Sequence, residues 1–215
     1  METAAERSRR PISRRGRGRP SQGARAALVA AARQLFTERD FEEVSTADLL
    51  ARAGVSRGAM YHHFESKTDL FRAAWEESER EVMARLASAA AGSDFPFEAL
   101  AAGCRAYLEL CATSLELQRL GLRQSRMVLG WDGWSEAAAE LGIGAMEAGV
   151  RAASDSGELE TGDPSTTARL LLATLVEAGL LIASSPDPRA RFEEVAPEAL
   201  RFLEGLKAGP PRSPG

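Results

Sequence analysis

Residues 21–95 contain no proline, and neither do residues 97–163. Proline fixes φ and removes a backbone donor, so its absence leaves two long stretches open to helix. Alanine, the strongest helix former, occurs 39 times. Alternation of β-branched residues is nowhere sustained, which argues against strands. The chain is therefore expected to be all-α, about nine helices delimited by Gly, Pro and capping residues.

The first helix is expected over about Gln22 to Glu38, with Leu28, Ala31, Ala32, Leu35 and Phe36 on one face. Phe41 and Val44 plug the loop that follows. Ser45 and Thr46 form a capping pair for the second helix, with Asp48 in its first turn. Gly54 ends that helix in the left-handed conformation. Ser56 caps a short third helix, Arg57 to about His63, and Phe64 closes it on the core. Ser66 and Asp69 start a fourth helix that continues to Ala91. The later helices are expected over about 96–117, 120–129, 131–154, 164–184 and 188–207. The longest apolar run, Leu170 to Ala183, is short for a bilayer and contains Glu177, so it reads as a buried core helix.

The net charge of −4 hides an asymmetry. Residues 1–20 carry seven arginines against two glutamates, whereas residues 76–215 carry 13 bases against 22 acids. Such a chain presents one end to polyanions. That end has almost no large apolar side chains and is expected to be disordered when free. The expected organisation is a basic arm over 1–20, a three-helix domain over 21–70, a larger helical domain over 71–208 and a frayed tail over 209–215. Cys104 and Cys111 are separated by about 10.5 Å of helical rise, too far for a disulfide. With no secretory pattern behind the basic terminus, a cytoplasmic setting is expected, nucleoid-associated when bound to DNA.

Residues 45–63 spell helix, glycine-containing turn, short helix. That is the helix-turn-helix pattern, whose second helix enters the major groove. A third helix precedes the pair and a basic arm precedes that. Helix three exposes Arg57, Tyr61, His62 and His63, with only Met60 and Phe64 apolar and large. The arm ends in Arg17-Gly18-Arg19-Pro20, which resembles the core of an AT-hook; Arg17 and Arg19 suit the negative potential of a narrow minor groove.

The segments LVAAARQLF (28–36), VSTADLLARAGVSRGAMYHHF (44–64) and SKTDL (66–70) resemble the DNA-binding domain of TetR-family transcriptional regulators. The likeness covers about Ala24 to Trp75. It departs mildly at Leu49-Leu50, where isoleucine-alanine is common, and at His62, where Tyr or Phe is common. Membership implies an all-α homodimer that binds an operator and is released by a small molecule. The body resembles the family only in length and helix count.

Physics assigns roles to the same residues. Arg57 is the candidate for bidentate guanine readout, with Gly58 and His62 beside it on the base-facing side. Tyr61 offers its hydroxyl to a phosphate. Ser45 and Thr46 mark a helix N-terminus suited to phosphate, and Ser56 caps the reading helix. Lys67 is a second phosphate clamp, and His63 a phosphate contact or a local cap. Adjacent helical histidines point about 100° apart and no carboxylate or thiol stands at ligand spacing, so no metal and no cofactor is expected.

In the body, an apolar pocket is expected from Cys104, Tyr107, Cys111, Met127, Trp131, Trp134, Leu141 and Met146. These positions suggest a small, largely apolar effector. The eighth helix is apolar almost all round and must be buried on more than one side. A partner subunit is expected against it and the ninth helix, through Leu171, Leu175, Ile182, Phe192, Val195 and Leu203.

The function expected is a sequence-specific DNA-binding repressor, released from a palindromic operator by its ligand. The alternative is an architectural DNA-binding dimer without a ligand. No phosphate-binding glycine loop or nucleophile–base pair suggests an enzyme.

Overall fold

The computed structural model describes residues 20–138 and 142–208. The expected arm, with Arg17 and Arg19, lies outside the described residues, as do Leu141 and the tail beyond residue 208.

Nine α-helices run through the described residues: α1 (Pro20–Glu38), α2 (Thr46–Ala53), α3 (Arg57–His63), α4 (Lys67–Ala90), α5 (Pro96–Thr113), α6 (Ser125–Ala138), α7 (Gly144–Asp155), α8 (Pro164–Ala183) and α9 (Pro188–Glu204). A 3-10 turn, Phe41–Glu43, follows α1, and a π-helical segment, Leu117–Gln124, joins α5 to α6. No strand occurs among the described residues; one isolated bridge pairs Leu159 with Lys207.

The first four helices follow the capping chemistry. The Ser45 hydroxyl accepts from the Asp48 amide, and the Asp48 carboxylate accepts from the Ser45 amide, closing a reciprocal box. Gly54 takes φ 65°, the left-handed conformation that tolerates no Cβ cheaply, and so ends α2. Ser56 and Ser66 cap α3 and α4 in the same way, by accepting from the third amide of each helix.

Past α5 the expected boundaries are corrected. α5 stops at Thr113 rather than near residue 117, and its successor is π-helical. The expected break between residues 129 and 131 is a kink inside α6: Gly130 turns through φ 71° and the helix resumes at once. The single helix expected over 131–154 is instead the end of α6 and a separate α7.

Two cores divide the molecule. Leu28, Leu35, Phe36, Val44, Leu49, Met60, Phe64 and Phe71 form the first, which extends along α4 to Trp75 and takes in Leu120 of the π-helical segment. The second starts at Val82 and gathers α5, α7, α8 and α9 around Phe97, Leu108, Leu175 and Ile182. α4 therefore serves both. α8 is long and apolar enough to cross a membrane, with a mean hydropathy of 1.6. It starts at Pro164, as expected, so the helix extends six residues beyond the 170–183 apolar run. Here Leu171, Leu175 and Ile182 line the protein's own interior.

Candidate nucleic-acid interface

α3 is only seven residues long, so two apolar anchors decide its orientation. Met60 is fully buried and Phe64, its C-cap, nearly so. Burying those two side chains contributes on the order of 1.5–3 kcal/mol each and fixes which side of α3 faces out. Ser56, Arg57, Gly58, Tyr61 and His62 are left exposed, and His63 is half-buried.

This outward face is preorganised. The Arg57 guanidinium lies 5.6 Å from the Tyr61 ring centroid, one turn away. The His62 and His63 rings meet edge-on at 5.0 Å. A Cβ built on Gly58 meets nothing within 4 Å. The protein itself does not need glycine there, so its bareness matters only to whatever approaches α3. Arg25 of α1 adds a cation over Phe64 at 5.5 Å, beside the same face.

Two of the expected phosphate contacts are already engaged inside the protein. Lys67 Nζ donates to the Phe41 carbonyl at 2.8 Å and the Val44 carbonyl at 3.0 Å, and sits 4.0 Å from the Phe41 ring centroid. An ammonium has three donors, so one remains for a phosphate. At the N-terminus of α2, the Asp48 carboxylate already occupies the dipole end, held below the usual carboxylate range by hydrogen bonds from the Ser45 backbone and hydroxyl. Ser45 is thereby committed to the cap, and an acid stands where an anion was expected.

The DNA-facing domain is tied to the body by polar contacts that sequence reasoning missed. Arg33 of α1 donates to both Glu81 oxygens at 2.6 Å and to Glu116 at 2.6 Å. These bonds, first to Glu81 and then to Glu116, hold its pKa well above the usual value. Arg119 donates to the Glu38 carbonyl at 2.8 Å and to Asp40 at 3.3 Å. Gln124 donates to the Phe36 carbonyl at 2.8 Å in a buried setting. Periodicity carries no signal for these pairs, whose members stand 48 to 88 residues apart.

The expected pocket residues whose side chains are described fall in different surroundings, and Leu141 lies outside the described residues. Cys104, Tyr107, Cys111 and Met146 belong to the C-terminal core, both cysteines as free thiols. Burial pushes each of those thiols up to about 12. Trp134 packs instead on the N-terminal core, with Arg126 4.4 Å from its ring centroid. Met127 is 79% exposed, off the stripe of Gly121, Gln124, Ser125 and Val128 that faces inward. The Trp131 side chain lies outside what is described.

Among the expected dimer residues, Phe192 and Val195 stay half-buried and the other four lie deeper. Leu171, Leu175, Ile182 and Leu203 are buried in their own chain, and Phe192 and Val195 pack against that core. The apolar residues turned outward on α8 and α9 are Leu170, Leu181 and Phe202, which are 66%, 46% and 65% exposed. Leu180 and Leu181 line an open groove with Ala190, Arg191 and Glu194 of α9. A helix apolar on every side does not reveal by its periodicity which side meets its own core.

The chain matches the family model for bacterial regulatory proteins of the tetR family over residues 28–74 and that for the tetracyclin repressor-like C-terminal domain over 97–206. The chain belongs to the TetR family of transcriptional regulators. This TetR-family regulator is 33% identical over 168 residues to an HTH-type transcriptional repressor of Mycobacterium tuberculosis, covering 77% of its own length and 85% of the relative. It is 37% identical over 62 residues to the regulator AcrR of Shigella flexneri, where the match spans 29% of either chain. Among solved structures, a TetR-family regulator from Pectobacterium atrosepticum superposes with a TM-score of 0.78 at 33% identity, over 88% of this chain and 97% of that one. Family members are DNA-binding transcription factors rather than enzymes.

Proposed function

We propose that this regulator is a homodimeric, cytoplasmic repressor that reads a palindromic operator through α3. A small, largely apolar molecule bound in the C-terminal domain releases it. The observation that carries the reading is the outward face of α3, where Arg57, Gly58, Tyr61 and His62 stand free above two buried anchors. Arg57 reads a guanine, Tyr61 and the remaining donor of Lys67 hold phosphates, and the arm with Arg17 and Arg19 adds minor-groove affinity. Leu170, Leu181 and Phe202 form the apolar seam between protomers. Two copies of α3 then stand roughly 34–36 Å apart, one helical turn of DNA.

Release follows from differential affinity. A ligand that favours one arrangement of α4 and the π-helical segment shifts the spacing of the two α3 helices. Support for that route is the set of bonds from Arg33, Arg119 and Gln124 between α1 and the body. The test is selection of bound sequences from a random duplex library at physiological salt. A palindromic consensus with half-sites one turn apart, or a multiple, is expected. Binding without a consensus would leave an architectural role in its place.

A further inference from the structure

α4 turns one line of residues inward: Trp75, Ser78 and Val82 are all buried. Glu79 belongs to that line at helical spacing, and it is half-buried among them. Helix formation does not call for an acid at an inward position, and a carboxylate taken from water is costly unless something compensates it. Yet no cation is among the groups that set its titration; burial comes first, and only the Trp75 indole opposes it. The indole does not complete the site either, since Trp75 Nε1 makes no hydrogen bond of normal geometry.

Three other elements close around this carboxyl. A side chain at Gly121, on the π-helical segment, would press to 3.2 Å from Glu79 Oε1 and 2.7 Å from Leu117 Cδ1. From α5, Tyr107 and Cys111 stand one turn apart on the same face, and the Glu79 charge raises the pKa of both, after burial as the larger cause. α8 makes room for them with Gly179, where a Cβ would sit 2.9 Å from both the Tyr107 hydroxyl and Cys111 Sγ. Arg126 of α6 reaches Tyr107 electrostatically but is held over the Trp134 ring. A carboxyl, a phenol and a thiol are thus gathered where α4, α5, the π-helical segment and α8 pack together.

We propose that Glu79, Tyr107 and Cys111 form a polar subsite for a small hydrophobic molecule carrying one protonated amine, with Glu79 as its counter-ion. The proposal rests on the ligand-responsive reading above and names the chemistry of the effector. An ammonium supplies the missing positive charge and donates to the phenol and thiol as well. Beside a neutral hydroxyl the carboxyl takes up a proton and gains only a neutral hydrogen bond, and an anion would add a second negative charge. The subsite abuts Gly121, three residues from Gln124, so an occupant presses on the segment that is bonded to α1.

Three probes of similar size separate the alternatives: 2-phenylethylamine, 2-phenylethanol and 3-phenylpropionate. Each is titrated calorimetrically into the full chain and into Glu79→Gln and Tyr107→Phe, at pH 6, 7 and 8. The amine is expected to bind the parent chain at least tenfold tighter than the alcohol or the acid. Its affinity rises several-fold from pH 6 to 8, because burial raises the Glu79 pKa to about 7 and protons compete for the carboxylate. Glu79→Gln removes the preference for the amine and its pH dependence. Tyr107→Phe weakens the amine at least threefold and leaves the alcohol unchanged, a second readout should the first variant misfold by circular dichroism. Equal binding of the three probes, no binding of the amine, or a preference that survives both substitutions overturns the subsite. Amine binding through Glu79 that leaves a selected duplex bound would contradict ligand release and not the subsite. Release of the duplex by a compound indifferent to Glu79 would contradict the subsite and not ligand release.

Discussion

The side-chain amide of Gln124 donates to the main-chain carbonyl of Phe36 at 2.8 Å across the boundary between the DNA-facing domain and the body. Phe36 lies in the last turn of α1, where carbonyls have no partner within the helix. Gln124 thus acts as a C-cap supplied from 88 residues away.

Replacing Gln124 by alanine leaves a buried carbonyl without a donor. The expected loss is about 1–3 kcal/mol of unfolding free energy. Gln124→Met, similar in length but with no donor, should not restore it. Chemical denaturation of the full chain measures both.

Arg33 joins α1 to α4 and to the residue before the π-helical segment, through Glu81 and Glu116. Glu81 is exposed, so its pair is discounted for solvent screening, and Glu116 is the better-protected partner. A double-mutant cycle of Arg33→Met with Glu116→Gln should show coupling of about 1 kcal/mol, and the cycle with Glu81→Gln less. The sign with pH follows from Glu81, whose pKa is lowered chiefly by the hydrogen bond from Arg33. That contribution is present above the ordinary carboxylate range and is lost as pH falls through the lowered value.

Glu79 has the opposite sign. Its pKa is raised from 4.5 to about 7, chiefly by burial. Between those values the folded chain binds more protons than the unfolded chain, so stability falls as pH rises through the window. The span corresponds to roughly 3 kcal/mol. Glu79→Gln should flatten that slope and raise the melting temperature at pH 8, read by thermal scans at pH 5, 6, 7 and 8.

The outward residues of α8 and α9 separate assembly from folding. Phe202→Glu combined with Leu181→Glu should yield a folded monomer by sedimentation. Leu175→Ala, in the protein's own core, should instead cost about 2–5 kcal/mol of stability. A monomer from the Leu175 variant alone, with no loss of stability, would reverse the two assignments.

Much of the DNA-facing domain was legible because its signals are local. Ser45, Gly54 and Ser56 each fix a helix end within a few residues, and Met60 and Phe64 fix the face of α3. The body resisted for a different reason. The π-helical segment and the kink at Gly130 interrupt regular helix between Leu117 and Ala138, so helix ends read from periodicity fail there. On α8, apolar residues lie on all sides, so Leu175 and Leu181 look alike in sequence although one is core and the other exposed. Glu79 stands among Glu76, Glu77 and Glu81; only its phase with Trp75, Ser78 and Val82 marks it out.

On the proposed function, α3 reads base sequence through Arg57. The direct measurement is the affinity of the full chain and of Arg57→Ala for a selected duplex and for a scrambled duplex, as a function of salt. The parent chain should prefer the selected duplex by at least about a thousandfold. Arg57→Ala should lose about 1–3 kcal/mol on that duplex while holding its affinity for the scrambled one. Equal affinity for the two duplexes, or an equal loss on both in the variant, would show that α3 does not read sequence.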